Sequence, residues 1–123
     1  LFILIFTSFS RVYEGRISTA EMMDARLQAK MVGEKLAAAL NEVYANQENF
    51  QLKVNLPENI RNFSYRIVID NFSWKVWVEN SAWGSIGVPM AFNRVKSETL
   101  TRENLQRSLT IYWAEGQVRV VSE

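Results

Sequence analysis

The feature that most constrains this chain is an apolar run at its start that leads into a long helical pattern. Apolar residues dominate Leu1 to Phe9, and the helical pattern that follows reaches about Asn46. A helix of about 45 residues would be about 70 Å long, because each residue adds about 1.5 Å. The remaining residues can form only a much smaller globule. The apolar end of the helix therefore needs a membrane or other copies of the chain to cover it.

Composition excludes several classes of function. The 123 residues suffice for one domain with a modest core, and the formal net charge of +1 gives no reason to expect a nucleic-acid partner. The chain contains neither cysteine nor histidine, so Cys/His metal sites and triads that use these residues are excluded. Asp70 and Glu79 are the nearest approach to a carboxylate pair, and we expect them to cap a turn and face solvent. We therefore predict no enzyme activity, no catalytic or metal-binding residues and no cofactor.

Two apolar stripes run along the helical pattern between Ile17 and Tyr44, at steps of three and four residues. The first stripe consists of Met22, Ala25, Ala29, Val32, Leu36, Ala39 and Val43. The second stripe consists of Ala20, Met23, Leu27 and Met31. Packing of both stripes on the chain's own sheet would account for the segment from Val32 to Val43, but not for the segment from Leu1 to Leu27.

The pattern therefore divides the chain into a helix over residues 1–47 and a head domain over 48–123. In the helix, residues 1–27 form an assembly or anchor half and residues 28–47 form a half that packs on the head. The residues predicted to pack on the sheet are Val32, Leu36, Ala39, Leu40, Val43 and Tyr44. The residues predicted to pack between copies are Leu1, Phe2, Ile3, Leu4, Ile5, Phe6, Phe9, Val12, Tyr13, Ile17, Ala20, Met23 and Leu27. Gly15 and a capping box that begins at Ser18 favour a kink or break between Tyr13 and Ser18.

The second part of the chain reads as antiparallel strands. Alternation of apolar and polar residues predicts strands over 50–56, 63–70 and 73–79, with a loop over 80–87 that carries Trp83 at its tip. Trp74 and Trp77 differ in parity, which places one aromatic side chain on each face of a strand. The clearest hairpin joins residues 108–113 to 117–121 through a turn at Gly116. The fold class is therefore α+β, with a long N-terminal helix packed on a small antiparallel sheet or sandwich.

Two Asn-X-Ser sequences, which begin at Asn62 and Asn71, are candidate N-glycosylation sites because both fall at strand edges or turns.

Several segments resemble archaeal type IV pilin-like proteins that are made with a class III signal peptide. They are Ala29-Lys30-Met31-Val32-Gly33-Glu34-Lys35-Leu36-Ala37, Leu40-Asn41-Glu42-Val43-Tyr44, Leu56-Pro57-Glu58-Asn59-Ile60 and Tyr65-Arg66-Ile67. The resemblance covers Leu1 to about Glu79, whereas the last forty residues match only as a generic small β domain. Pilins of this family have a longer apolar stretch with an acidic residue near its start, so we expect an apolar segment to continue upstream of Leu1.

The resemblance implies a structural subunit of an extracellular pilus-like filament, held together by helix packing between identical chains and inserted in the membrane before assembly. Such a filament serves adhesion, surface attachment, motility or DNA exchange, so DNA handling by the filament is compatible with a chain whose charge predicts no nucleic-acid binding. Two alternatives remain open at this point. One is a membrane-anchored, secreted β-domain binding protein, and the other is a minor pilin or archaellin-like subunit.

Overall fold

The computed structural model describes residues 19–122. The residues predicted for the filament core from Leu1 to Ile17 and the predicted kink before Ser18 lie outside the described residues. The elements are α1 (Thr19–Asn46), β1 (Gln51–Val54), β2 (Asn59–Ile60), β3 (Phe63–Ser64), β4 (Arg66–Asp70), β5 (Lys75–Asn80), β6 (Gly84–Pro89), β7 (Glu98–Leu100), α2 (Arg102–Leu105), β8 (Leu109–Ala114) and β9 (Gln117–Ser122). The end of α1 at Asn46 confirms the predicted end of the helical pattern.

The strands form three antiparallel sheets on which α1 packs. The largest has the order β6-β5-β4-β7, the second has the order β1-β8-β9, and β2 and β3 form a short separate ribbon. α1 contacts strands of all three sheets, and its buried side chains share one hydrophobic core with theirs. A parallel bridge from Val95 to Val118 connects the segment after β6 to β9. The α+β class is therefore correct, although the head is divided into three sheets.

α1 runs beside β6 in the same direction. Near its start, Arg26 Nη1 donates to the Trp83 carbonyl oxygen at 3.0 Å, just before β6. Near its end, Asn41 Oδ1 accepts a hydrogen bond from the Ala91 N–H at 3.0 Å, just after β6. Between these points Gly33 lies so close to the sheet that a Cβ there would be 2.7 Å from Val88 Cγ2. The absence of a side chain at Gly33 therefore lets the helix backbone approach β6.

Two predicted features of the β part are wrong. The predicted loop over 80–87 contains only a short turn, since β6 begins at Gly84, and Trp83 is buried rather than exposed at a tip. Its Nε1 donates to the Val78 carbonyl oxygen at 3.3 Å. Trp74 lies in the turn before β5 with φ of 61°, so it does not share a strand with Trp77.

The remaining strand predictions hold with smaller changes. The predicted strand over 63–70 is interrupted at Tyr65, but the alternation behind the prediction is seen in the burial of Tyr65, Ile67 and Ile69. The hairpin of β8 and β9 is confirmed, with Ala114 paired to Gln117 across a two-residue turn. Gly116 in that turn has φ of 79°, a backbone conformation that costs glycine little.

Candidate self-association surface

The two apolar stripes of α1 have different environments in the folded chain. Ala25, Ala29 and Leu36 of the first stripe are fully buried against the head. In the second stripe, Met23 is 66% exposed, Leu27 56% and Met31 58%, and Ala20 is exposed as well. At about 100° per residue, the second stripe lies on the side of the helix opposite the first. The head therefore leaves a line of large apolar side chains uncovered, and two of them, Met23 and Leu27, are predicted for the filament core.

The residues predicted to pack on the sheet lie at the helix–head interface. Val32, Leu36, Ala39, Leu40 and Val43 are buried. The sixth, Tyr44, is half-buried.

Tyr44 is held at the end of α1 by other aromatic rings. Its ring stacks on that of Phe92 at a centroid distance of 4.3 Å and an interplanar angle of 5°. The Trp113 ring, from β8, lies 6.1 Å away at a tilted angle. Aromatic pairs stabilise a fold by more than the burial of their surface alone. These contacts therefore fix the C-terminal end of α1 to the head.

A shallow groove of about 330 Å³ lies beside the exposed stripe, between α1 and β6. Met23, Leu27 and Ile86 form its apolar part, and Arg26 and Lys30 line it as well. Sequence analysis missed Ile86 because it assigned this segment to a loop. The alternation of Ile86 with the buried Val88 would have indicated a strand. The groove widens the apolar surface from a single line of side chains to a strip shared by helix and sheet.

The exposed stripe ends within the helix. The next residues on the same side are Glu34 and Ala38, both exposed, and Lys35 Nζ donates to the Asn55 carbonyl oxygen at 3.0 Å. The apolar surface therefore stops after Met31, about one turn beyond the division predicted at Leu27. A contact made through this stripe would be confined to the N-terminal part of the described helix.

A clamp from the head flanks the stripe on the side away from β6. Arg61, in the turn between β2 and β3, places Nη1 2.8 Å from Asp24 Oδ2 and Nη2 3.5 Å from Glu21 Oε2. Gln28 Nε2 also donates to Asp24 Oδ2, at 2.8 Å. Ion pairs this exposed contribute little stability. Their effect is to fix the orientation of the first turns of α1 relative to the head.

The carboxylates of Asp70 and Glu79 do not form a pair. Asp70 is opposite Lys75 and Glu79 is opposite Arg66, so the two acids lie at opposite ends of the β4–β5 hairpin. Glu79 Oε1 accepts from Arg66 Nε at 2.8 Å. Over residues 19–122, no cluster of three or more Asp or Glu side chains could hold a metal ion.

Asp70 instead caps the turn that follows β4. Its Oδ1 accepts from the Phe72 N–H at 2.9 Å, and its Oδ2 accepts from the Ser73 hydroxyl at 2.9 Å. These bonds, the one from the Phe72 N–H first, hold the pKa of Asp70 below its ordinary value. Phe72 projects from this turn with 92% of its surface exposed. The turn is thus a rigid support for an exposed aromatic side chain.

Comparisons with protein-family models, with curated proteins and with solved structures gave no match to this chain. Between Thr19 and Ser122, neither helix combines the length and the apolar composition that crossing a bilayer requires.

Proposed function

We propose that this chain is a structural subunit, a pilin, of an extracellular archaeal type IV pilus-like filament, and that it polymerises through its N-terminal helix. The observation that carries the proposal is the exposed stripe of Met23, Leu27 and Met31. The stripe faces away from the head, and it follows in sequence the apolar run over residues 1–9. Contiguous apolar surface of this kind marks interaction sites on soluble domains.

The stripe can contribute several kcal/mol to assembly. Complete burial of a Met or Leu side chain stabilises by about 1.5–3 kcal/mol. Because these three side chains are already about 40% covered, each would add about 1–2 kcal/mol, or about 3–6 kcal/mol per copy before the entropy of association is subtracted. Each copy added to the filament would gain the same free energy of burial. The apolar run over residues 1–9 would add to this gain.

The proposed polymer is open-ended. In it, the stripe of one copy would pack against a part of its neighbour's N-terminal helix other than the stripe itself. Contacts between unlike surfaces that do not close into a ring generate filaments. The head would then cover the outside of the filament, where its loops are available for adhesion, surface attachment or DNA exchange.

A second candidate function is a membrane-anchored, secreted β-domain binding protein. The observation that favours it is an open groove of about 600 Å³ on the head, whose lining includes Arg66, Glu79, Asn80 and Arg102. In that case the helix would serve as a stalk, and the protein would remain monomeric with its apolar segment intact.

Electron microscopy of the full chain tests the proposal. We expect thin filaments from the unchanged chain and none from Leu27→Glu, because a carboxylate in a water-excluded helix bundle is strongly unfavourable. Ala38→Glu is the matched control, since it adds the same charge to an exposed position beyond the stripe, and it should assemble normally. Circular dichroism should show that both variants keep the folded head. Filaments from Leu27→Glu, or a monomeric unchanged chain, would contradict the proposal.

A further inference from the structure

The two Asn-X-Ser sequences occupy different environments in the folded head. Each needs two free groups for N-glycosylation: the amide nitrogen of the asparagine and the hydroxyl of the serine two residues later. The sequence alone does not indicate which of the two sites is modified. The hydrogen bonds of the folded chain separate them.

At the second site, both groups already have partners. Asn71 is half-buried, and its Nδ2 donates to the Val95 carbonyl oxygen at 2.9 Å. The Ser73 hydroxyl donates to Asp70 Oδ2 at 2.9 Å and accepts from Trp77 Nε1 at 3.3 Å. The Asn71 N–H also donates to Ser97 Oγ at 3.1 Å. Modification of Asn71 would therefore require the transferase to break the bonds that hold Asn71 Nδ2 and the Ser73 hydroxyl in the turn after β4.

At the first site, both groups are free. Asn62 and Ser64 are exposed, and within residues 19–122 neither side chain forms a hydrogen bond. Asn62 occupies the second position of the two-residue turn between β2 and β3, with φ of 70°. Each of these strands has only two residues, so only two ladder pairs, Asn59 with Ser64 and Ile60 with Phe63, hold the turn.

We infer that the folded chain accepts one N-linked oligosaccharide, on Asn62, and that Asn71 remains unmodified. The donor is a lipid-linked oligosaccharide. Asn62 Nδ2 forms a bond to C1 of the first sugar, the bond between C1 and the lipid phosphate oxygen breaks, and the lipid phosphate leaves with the electron pair. The amide nitrogen loses one proton to a base of the transferase. The inference rests on the extracellular location in the proposed function.

The position of Asn62 places the sugar on the flank of the exposed stripe that faces away from β6. The neighbouring Arg61 binds Asp24 and Glu21, which lie on one flank of the stripe. The groove with Ile86 lies on the other flank, next to Arg26 and Lys30. A glycan on Asn62 therefore borders the proposed interface, and filament formation should be retained in the glycosylated protein.

The test uses the purified, folded full chain with an oligosaccharyltransferase that accepts Asn-X-Ser, its lipid-linked oligosaccharide, and mass spectrometry of the resulting peptides. We expect one glycan per chain, on Asn62. Asn62→Gln and Ser64→Ala should each abolish the mass increase, whereas Asn71→Gln should leave it unchanged. Two synthetic peptides over residues 58–67 and 67–76 serve as matched controls. Without the fold, both should be modified to a comparable extent.

Three results would overturn the inference: a glycan on Asn71 of the folded chain, no glycan on Asn62 of the folded chain, or no modification of the synthetic 67–76 peptide. The last would show that local sequence, rather than the fold, selects the site. Electron microscopy of the same samples separates this inference from the proposed function. Filaments built from chains with an unmodified Asn62 would refute the glycosylation inference and leave the proposed function intact. A chain that is modified on Asn62 but stays monomeric would refute the proposed function and leave the glycosylation inference intact.

Discussion

Replacement of Gly33 by alanine changes the stability of the fold in two opposite ways, through helix propensity and through steric contact with the sheet. The sign of the net change therefore tests how closely the helix packs on the sheet. In a solvated helix, alanine is favoured over glycine by about 1 kcal/mol. In this chain the new Cβ would lie 2.7 Å from Val88 Cγ2 and 3.3 Å from Val78 Cγ2. Both valines are buried and branched, so they have little freedom to move away.

The steric effect should exceed the gain in helix propensity. Overpacking of a well-filled core costs about 1–3 kcal/mol. After subtraction of about 1 kcal/mol for propensity, we expect Gly33→Ala to lower the free energy of unfolding by about 1 kcal/mol. Urea denaturation in the Leu27→Glu background, which should not assemble, measures this change when it is followed by tryptophan fluorescence.

A double-mutant cycle with Val88→Ala supplies the control. Removal of the Val88 methyl groups leaves space that the new Cβ of residue 33 can occupy. The combined variant should therefore be more stable than the sum of the two single changes, by about 1 kcal/mol or more. A gain of about 1 kcal/mol from Gly33→Ala alone, as propensity would give, would refute the close approach of α1 to β6. Additive changes across the cycle would refute the contact with Val88.

Three further predictions concern the core, the clamp and the turn. Leu40→Ala should destabilise the head by about 2–5 kcal/mol in urea denaturation, because Leu40 is fully buried; a change below this range would place Leu40 outside the core. Arg61→Gln should cost less than about 1 kcal/mol but speed amide exchange in the first turn of α1, and unchanged exchange at low salt would contradict the clamp. Because the folded pKa of Asp70 is below its ordinary value of 3.8, its contribution to stability is present above that pH and is lost as the pH falls through the folded value. An acid titration of the urea midpoint should therefore be less steep for Asp70→Asn than for the unchanged chain, and parallel curves would contradict this.

Elements whose pattern is local could be predicted from the sequence. The helix ends at Asn46 because polar turn residues follow, and the turn at Gly116 was recognised from its flanking alternation. The division of α1 into a buried and an exposed stripe follows from helical periodicity alone. The structure shows that Met23 and Leu27 are exposed, and their assignment to self-association stays a prediction.

Elements that depend on distant contacts could not be predicted. β6 contains two glycines and a proline, which favour a loop locally. It forms a strand because β5 pairs with it and because α1 covers Val88. Ile86 and the groove it lines were missed for the same reason. Trp83 likewise has a distant partner, because Arg26 of α1, 57 residues away in sequence, donates to its carbonyl oxygen.

The parallel course of α1 and β6 has a mechanical consequence. In a filament under tension, a pull along the helix axis would act along the strand and not across it. The helix–head contact would then be loaded in shear over its whole length, from Ala25 to Tyr44, or about 30 Å. Contacts loaded in this way must yield together, whereas contacts peeled from one end yield one after another. The aromatic stack at Tyr44 and the hydrogen bond at Asn41 lie at the far end of this contact, where they would resist withdrawal of the helix from the head.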